Sequence, residues 1–244
     1  MSVRFDIAGK AAVVTGGGTG IGKALAAGLV AEGCEVTIIG RRADVLNETA
    51  AEIGAKALIG DVVDLKEQAR LVSEIGSTDI LINAAGINLR EPVDEITEES
   101  WDQTIDVNLK AVFFLSRALV DGMKERGWGK IINIASLQSE RAFANSIPYG
   151  ASKGGVLQLT RAMAEAWSGS GITVNAFGPG FFPTELTAPV YGNPEKLEAL
   201  AAQTAVGRNG ELEDLVGPAL FFASPASDYV TGQTLYVDGG FTAK

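Results

Sequence analysis

One α/β domain, a parallel sheet covered by helices on both faces, is what this sequence predicts, and three observations carry the prediction. Short β-branched runs alternate with longer, alanine- and leucine-rich segments of helical period, the pattern of repeated βα units. Several of the short runs are apolar throughout, as strands buried on both sides are. The first of them opens directly into a glycine-rich loop and then a helix, at the carboxyl edge where such sheets bind their ligands.

The predicted strands are AAVVT (11–15), EVTII (35–39), AKALI (55–59), DILIN (79–83), KIINIA (130–135), ITVNAF (172–177) and TLYVD (234–238). Between them the helical period places helices at 20–32, 43–53, 64–75, 98–122, 149–168 and 211–223. No repeat, low-complexity tract or linker interrupts the series, so residues 1–244 are expected to form a single unit. A less regular insertion at about 181–210, carrying Pro183, Pro189 and Pro194, is expected to form the substrate loop.

Composition removes many chemistries. The 244 residues are 46% apolar, enough for a packed core, and carry a net charge of -10. That balance argues against nucleic acid or an anionic membrane as a partner and leaves a small molecule. Cys34 is the only cysteine and there is no histidine, so no metal site, internal disulfide or Ser-His-Asp chemistry is expected. The N-terminal MSVRFDIAGK lacks a cleavable-signal pattern and no run is long and apolar enough to span a bilayer, so a cytoplasmic protein is expected.

The loop TGGGTGIG (15–22) spaces Gly16, Gly20 and Gly22 as G-x-x-x-G-x-G before the helix KALAAGLVAEG. Glycines there allow a tight turn and close backbone approach, and the helix N-terminus offers free N–H groups to a pyrophosphate. A dinucleotide is the expected ligand, with Thr19 and Ile21 of the same loop among its contacts. At the end of the second strand, where NAD sites usually carry an acid, the chain has Gly40 followed by Arg41 and Arg42. A guanidinium suits a 2'-phosphate, so NADP(H) is expected over NAD(H). Asp61 with Val62 after the third strand, and Asn83, Ala84 and Gly86 after the fourth, are expected along the adenosine half.

Tyr149 and Lys153 stand four apart at the start of a helix, in PYGASKGG. That spacing puts phenol and ammonium on one face. A nearby cation stabilises phenolate, so Lys153 is expected to lower the tyrosine pKa from its usual value of ≈ 10. Ser136 ends the strand KIINIA on the same sheet edge, where its hydroxyl can orient a substrate oxygen.

The glycine loop, Asp61, NAAG (83–86), Asn108, Ser136, Tyr149 with Lys153, and PG (179–180) together resemble the short-chain dehydrogenase/reductase family over essentially the whole chain. The resemblance implies a Rossmann-like, doubly wound seven-stranded sheet, a bound nicotinamide dinucleotide, and hydride transfer between it and a carbonyl or secondary alcohol. It implies Tyr149 as proton donor or acceptor, Lys153 as its partner and ribose holder, Ser136 as the group that polarises the reacting oxygen, and Asn108 as the holder of a relay water. Pro179, Gly180, Phe182 and Thr184 match the segment bordering the nicotinamide. One departure is Ala84, where the family more often has asparagine.

Within that family NIASLQSE (133–140) and residues 213–240 are most similar to gluconate 5-dehydrogenases and keto-sugar-acid reductases. A 3-oxoacyl-carrier-protein reductase is the alternative enzyme, and a non-catalytic NADP sensor the alternative of another class. Arg141 and Gln138 are candidates to face a polar substrate, whereas Phe143, Phe181 and Phe182 can line an apolar one. The resemblance further implies a homotetramer, with a homodimer as the alternative. Phe113, Phe114, Met163 and Trp167 are candidate apolar interface residues.

Overall fold

The computed structural model describes residues 5–244; the first four residues of the N-terminal stretch considered for a targeting signal lie outside the described residues. Seven parallel strands form one sheet: β1 (Ala11–Thr15), β2 (Glu35–Gly40), β3 (Lys56–Ile59), β4 (Ile80–Asn83), β5 (Gly129–Ile134), β6 (Ile172–Pro179) and β7 (Thr234–Val237). Their spatial order is β3-β2-β1-β4-β5-β6-β7. The chain therefore leaves one edge after β3 and returns beside β1, and the crevice between the ends of β1 and β4 is the switch point at which ligands of such sheets bind.

Alternation along the strands sorts the core into two layers. Ala12, Val14, Ile38, Ile80, Ile82 and Ile132 face α1 (Gly20–Ala31), α2 (Ala43–Ile53) and α9 (Val216–Ala223), through Leu25, Leu29, Leu46 and Phe222. Val13, Ile39, Leu81, Ile131 and Val174 face the other way, onto Leu71 of α3 (Leu65–Ile75), Leu115, Leu119 and Met123 of α5 (Ala111–Arg126), and Met163 and Trp167 of α6 (Ile147–Trp167). Burial on both faces is why these strands read as unbroken apolar runs.

Two expectations are corrected. The helix expected over 98–122 is α4 (Glu98–Ile105) joined to α5 by a π-helical turn, Asp106–Lys110, and α5 continues to Arg126. The irregular insertion at 181–210 contains two short helices, α7 (Ala188–Tyr191) and α8 (Pro194–Ala201). Pro189 and Pro194 sit in the first turns of these helices, where a missing N–H costs nothing. The helix expected over 211–223 begins as a 3-10 turn, Leu212–Leu215, and is α-helical only from Val216, while the other boundaries differ from those expected by a residue or two.

Candidate active site

A cleft of about 570 Å³ opens over the carboxyl edge of the sheet. Gly16, Thr19, Gly20, Ile21 and Gly22 form its floor. The loop is tight because it has no side chains: a Cβ on Gly22 would stand 2.2 Å from the Gly16 carbonyl oxygen, and one on Gly16 2.9 Å from the Ala85 backbone. Thr19 caps α1 with no side-chain hydrogen bond to the first turn, which leaves those N–H groups to an anion in the cleft. Across the switch point the Thr15 hydroxyl accepts from the N–H groups of Ala84 (3.0 Å) and Ala85 (3.1 Å), so the missing asparagine amide at 84 leaves the β1–β4 junction closed. Backbone bared this way, between a free helix N-terminus and a deep crevice, fits a dinucleotide.

At the end of β2, Arg41 and Arg42 both line the cleft. Arg41 approaches Asp61 at 3.6 Å, and Arg42 makes a paired contact with Glu185. Asp61 also accepts from the Val63 N–H at 2.9 Å, and both Asp61 and Val62 border the cleft. Ala84 and Gly86 do as well. Asn83 does not: it is buried, donating to Asn133 Oδ1 (2.9 Å) and Ser116 Oγ (3.1 Å) beneath the sheet edge. Its amide is consumed in holding β4 to β5 and α5, so the side chain stands away from the cleft in which a cofactor contact was expected.

Ser136, Tyr149 and Lys153 meet on the opposite wall, with Pro179, Gly180, Phe182 and Thr184 closing the far end. Tyr149 enters the cleft from the first turn of α6, and Lys153 one turn later places its Nζ 5.8 Å from the Tyr149 ring centre. Burial pushes the Tyr149 phenol above its ordinary pKa, while the Ser136 hydroxyl and the charge of Arg90 pull it down. Burial also pushes the Lys153 ammonium down to about 8. The expected lowering of the tyrosine by Lys153 is therefore corrected: desolvation dominates both groups, and the countervailing charge is that of Arg90.

Asn108 is fully buried in the π turn and does not reach the cleft wall. Its amide donates to the Ile87 carbonyl (2.9 Å) and Ser152 Oγ (3.1 Å) and accepts from the Ile87 N–H (2.9 Å). The wide π turn swings this side chain inward, where it fixes the segment after Gly86 against α6. A Cβ on Gly86 would lie 3.3 Å from Asn108 Oδ1 and 3.7 Å from Lys153 Nζ, so the glycine keeps open the space beside the lysine.

Sequence reasoning missed several residues. Arg90 lines the cleft with φ +57°, its Nε buried without a partner among the described residues and its Nη2 reaching the Leu186 carbonyl at 3.4 Å. Ser139 accepts from the Ser136 N–H (3.2 Å) and donates to the Lys153 carbonyl (2.8 Å). The S-x-x-S spacing after a strand was the available signal, and for Arg90 a lone basic residue in the loop after NAAG. Gln138, Phe143 and Phe181 line the cleft as expected. Arg141 does not: it donates to the Lys244 carbonyl (2.9 Å) and lies over the Phe241 ring. Among the described residues, no cluster of His, Cys, Asp or Glu could hold a metal ion, and no helix is long and apolar enough to cross a membrane.

Comparison with known proteins agrees with this geometry. A family model described as enoyl-(acyl carrier protein) reductase matches residues 16–242. Gluconate 5-dehydrogenase of Gluconobacter oxydans (strain 621H) is 41% identical over 247 residues, covering 98% of this chain and 96% of that protein. The L-tagatose-forming galactitol 2-dehydrogenase of Cereibacter sphaeroides is 39% identical, covering 98% of this chain and 97% of that protein. A crystal structure of a gluconate 5-dehydrogenase from Burkholderia cenocepacia J2315 in complex with NADP and tartrate superposes with a TM-score of 0.94 at 39% identity, covering 99% of this chain and 98% of that one.

Proposed function

Because the chain belongs to the short-chain dehydrogenase/reductase family of NAD(P)-dependent oxidoreductases, we propose that it interconverts a ketone and a secondary alcohol on a sugar acid or polyol, with NADP(H) as its coenzyme. The bound nicotinamide supplies or accepts the hydride. Tyr149 gives a proton to the substrate oxygen in reduction and takes it back in oxidation, and a phenol held protonated by burial suits the donor role. Ser136 orients that oxygen by hydrogen bonding from the facing wall. Lys153 holds the ribose next to Gly86, while Asn108 acts as a positioning residue through Ile87 and Ser152.

The observation that carries the sugar-acid reading is Arg90, a guanidinium in the cleft beside Tyr149 with an unpartnered buried Nε. A substrate carboxylate supplies the acceptor it lacks. The Burkholderia relative's complex with NADP and tartrate, a hydroxy acid salt, supports the same choice, and Arg42 is the proposed partner of the 2'-phosphate. Initial rates with NADPH and NADH on 5-ketogluconate, a neutral ketose and an acetoacetyl thioester test the reading. Greatest kcat/KM for NADPH with the keto acid supports it, and greatest kcat/KM for the thioester replaces it with the acyl-carrier alternative.

The proposal extends to assembly. Met163 and Trp167, expected at an interface, fill the monomer core, but Phe113 and Phe114 border an apolar groove with Leu109 and Leu159 between α5 and α6. A homotetramer built through that face is tested by light scattering, and the cytoplasmic location expected from the sequence by cell fractionation.

A further inference from the structure

Glu185 lies on the Arg42 guanidinium through two parallel contacts, Nη1 to Oε1 at 2.9 Å and Nη2 to Oε2 at 2.7 Å, between residues 143 apart in sequence. They come from opposite walls of the cleft: Arg42 caps α2 beyond β2, and Glu185 opens the short turn Glu185–Thr187 beyond β6. Thr19 of the glycine loop adds its hydroxyl to Glu185 Oε2 at 3.5 Å. The pair thus spans the dinucleotide groove directly above that loop.

The turn that presents Glu185 is built rather than loose. Thr184 and Thr187 cap it reciprocally, the Thr187 N–H reaching Thr184 Oγ1 at 3.3 Å and the Thr184 N–H reaching Thr187 Oγ1 at 3.0 Å. It also packs on the glycine loop so closely that a Cβ on Gly20 would stand 3.1 Å from Thr184 Cγ2. Arg41 has its own acid in Asp61, so Arg42 is the guanidinium that meets this turn. A paired carboxylate engages the same fork of N–H groups that a phosphate would.

We propose that Glu185 is a cofactor-specificity-determining residue, an internal competitor for Arg42 that a 2'-phosphate must displace and an unphosphorylated ribose need not. Glu185 thereby narrows the preference for NADP(H) over NAD(H). The inference rests on the reading of Arg42 as the 2'-phosphate partner. Two effects act in one direction: the paired contact has to break, and the displaced carboxylate stays near a phosphate of like charge. Both side chains are more than half exposed, so screening keeps the effect moderate.

The experiment measures Kd by calorimetry for NADPH, NADH, 2',5'-ADP and 5'-AMP in wild type, Glu185→Gln and Arg42→Ala. In Glu185→Gln, NADPH and 2',5'-ADP should bind about 3- to 10-fold more tightly, while NADH and 5'-AMP change by less than about 2-fold. Unchanged or weaker 2',5'-ADP binding in Glu185→Gln, while Arg42→Ala weakens it, overturns the competition and leaves the role of Arg42 standing. Unchanged 2',5'-ADP affinity in Arg42→Ala overturns the reading of Arg42 and the inference with it.

Discussion

Lys153 Nζ donates to the Ile134 carbonyl at 2.6 Å, at the last residue of β5 and two residues before Ser136. The ammonium is thus bound to the strand that delivers the serine, rather than pointed solely at the phenol. Among the described residues its one hydrogen bond is to a neutral carbonyl, and burial holds its pKa down at about 8 against 10.5 in solvent.

That depression makes stability depend on pH. Between about pH 8 and 10.5 the unfolded chain binds the Lys153 proton and the folded chain has released it, so this site's contribution to stability rises with pH across that window. Below pH 8 the full penalty applies, on the order of 3 kcal/mol. Lys153→Met should be more stable than wild type below pH 8, the difference closing toward pH 10.5. Urea unfolding of both proteins over pH 7 to 10.5 checks it; a difference independent of pH contradicts it.

Ser139 links the Ser136 turn to the Lys153 carbonyl, so its loss should disturb chemistry more than binding. Ser139→Ala is expected to lower kcat about 10-fold, with NADPH Kd changed by less than about 2-fold. Ser139→Thr, which keeps the hydroxyl, should recover much of the loss. Equal falls in kcat and NADPH affinity would point to a general loosening of the cleft instead.

Gly22→Ala places a methyl 2.2 Å from the Gly16 carbonyl oxygen, a backbone atom that cannot swing aside. A loss of about 1–3 kcal/mol is expected, visible as roughly 2–4 °C in Tm per kcal/mol at this chain length. NADPH affinity should fall as the loop opens. Retention of both Tm and affinity would show that the loop is not closed in the way described.

Arg90→Met should raise KM for gluconate about 10- to 100-fold, the worth of a charge-assisted contact, and leave KM for galactitol nearly unchanged. Parallel changes for the two substrates would mean that Arg90 shapes the cleft without reading a carboxylate.

What the sequence made legible follows from which interactions are local. Strand runs such as ILIN and KIINIA announce burial on both faces, and the glycine spacing in TGGGTGIG is dictated by clashes within a few residues, so fold and cofactor floor could be read directly. Tyr149 and Lys153 were legible because one helical turn separates them. The side-chain partners of Asn83 and Asn108 were not legible, because these amides turn beneath the surface to Asn133 and Ile87, which spacing does not reveal. The Arg42–Glu185 contact was invisible for the same reason, and the sign of the Tyr149 shift required knowing how deeply the pair is buried.

If the Tyr149 hydroxyl carries the proton that accompanies hydride transfer, removing it must stop turnover and spare cofactor binding. Steady-state turnover of Tyr149→Phe is measured beside calorimetric NADPH binding. Loss of kcat by about 10²- to 10⁴-fold with NADPH Kd within about 3-fold of wild type is the predicted result; turnover within a few-fold of wild type would contradict it.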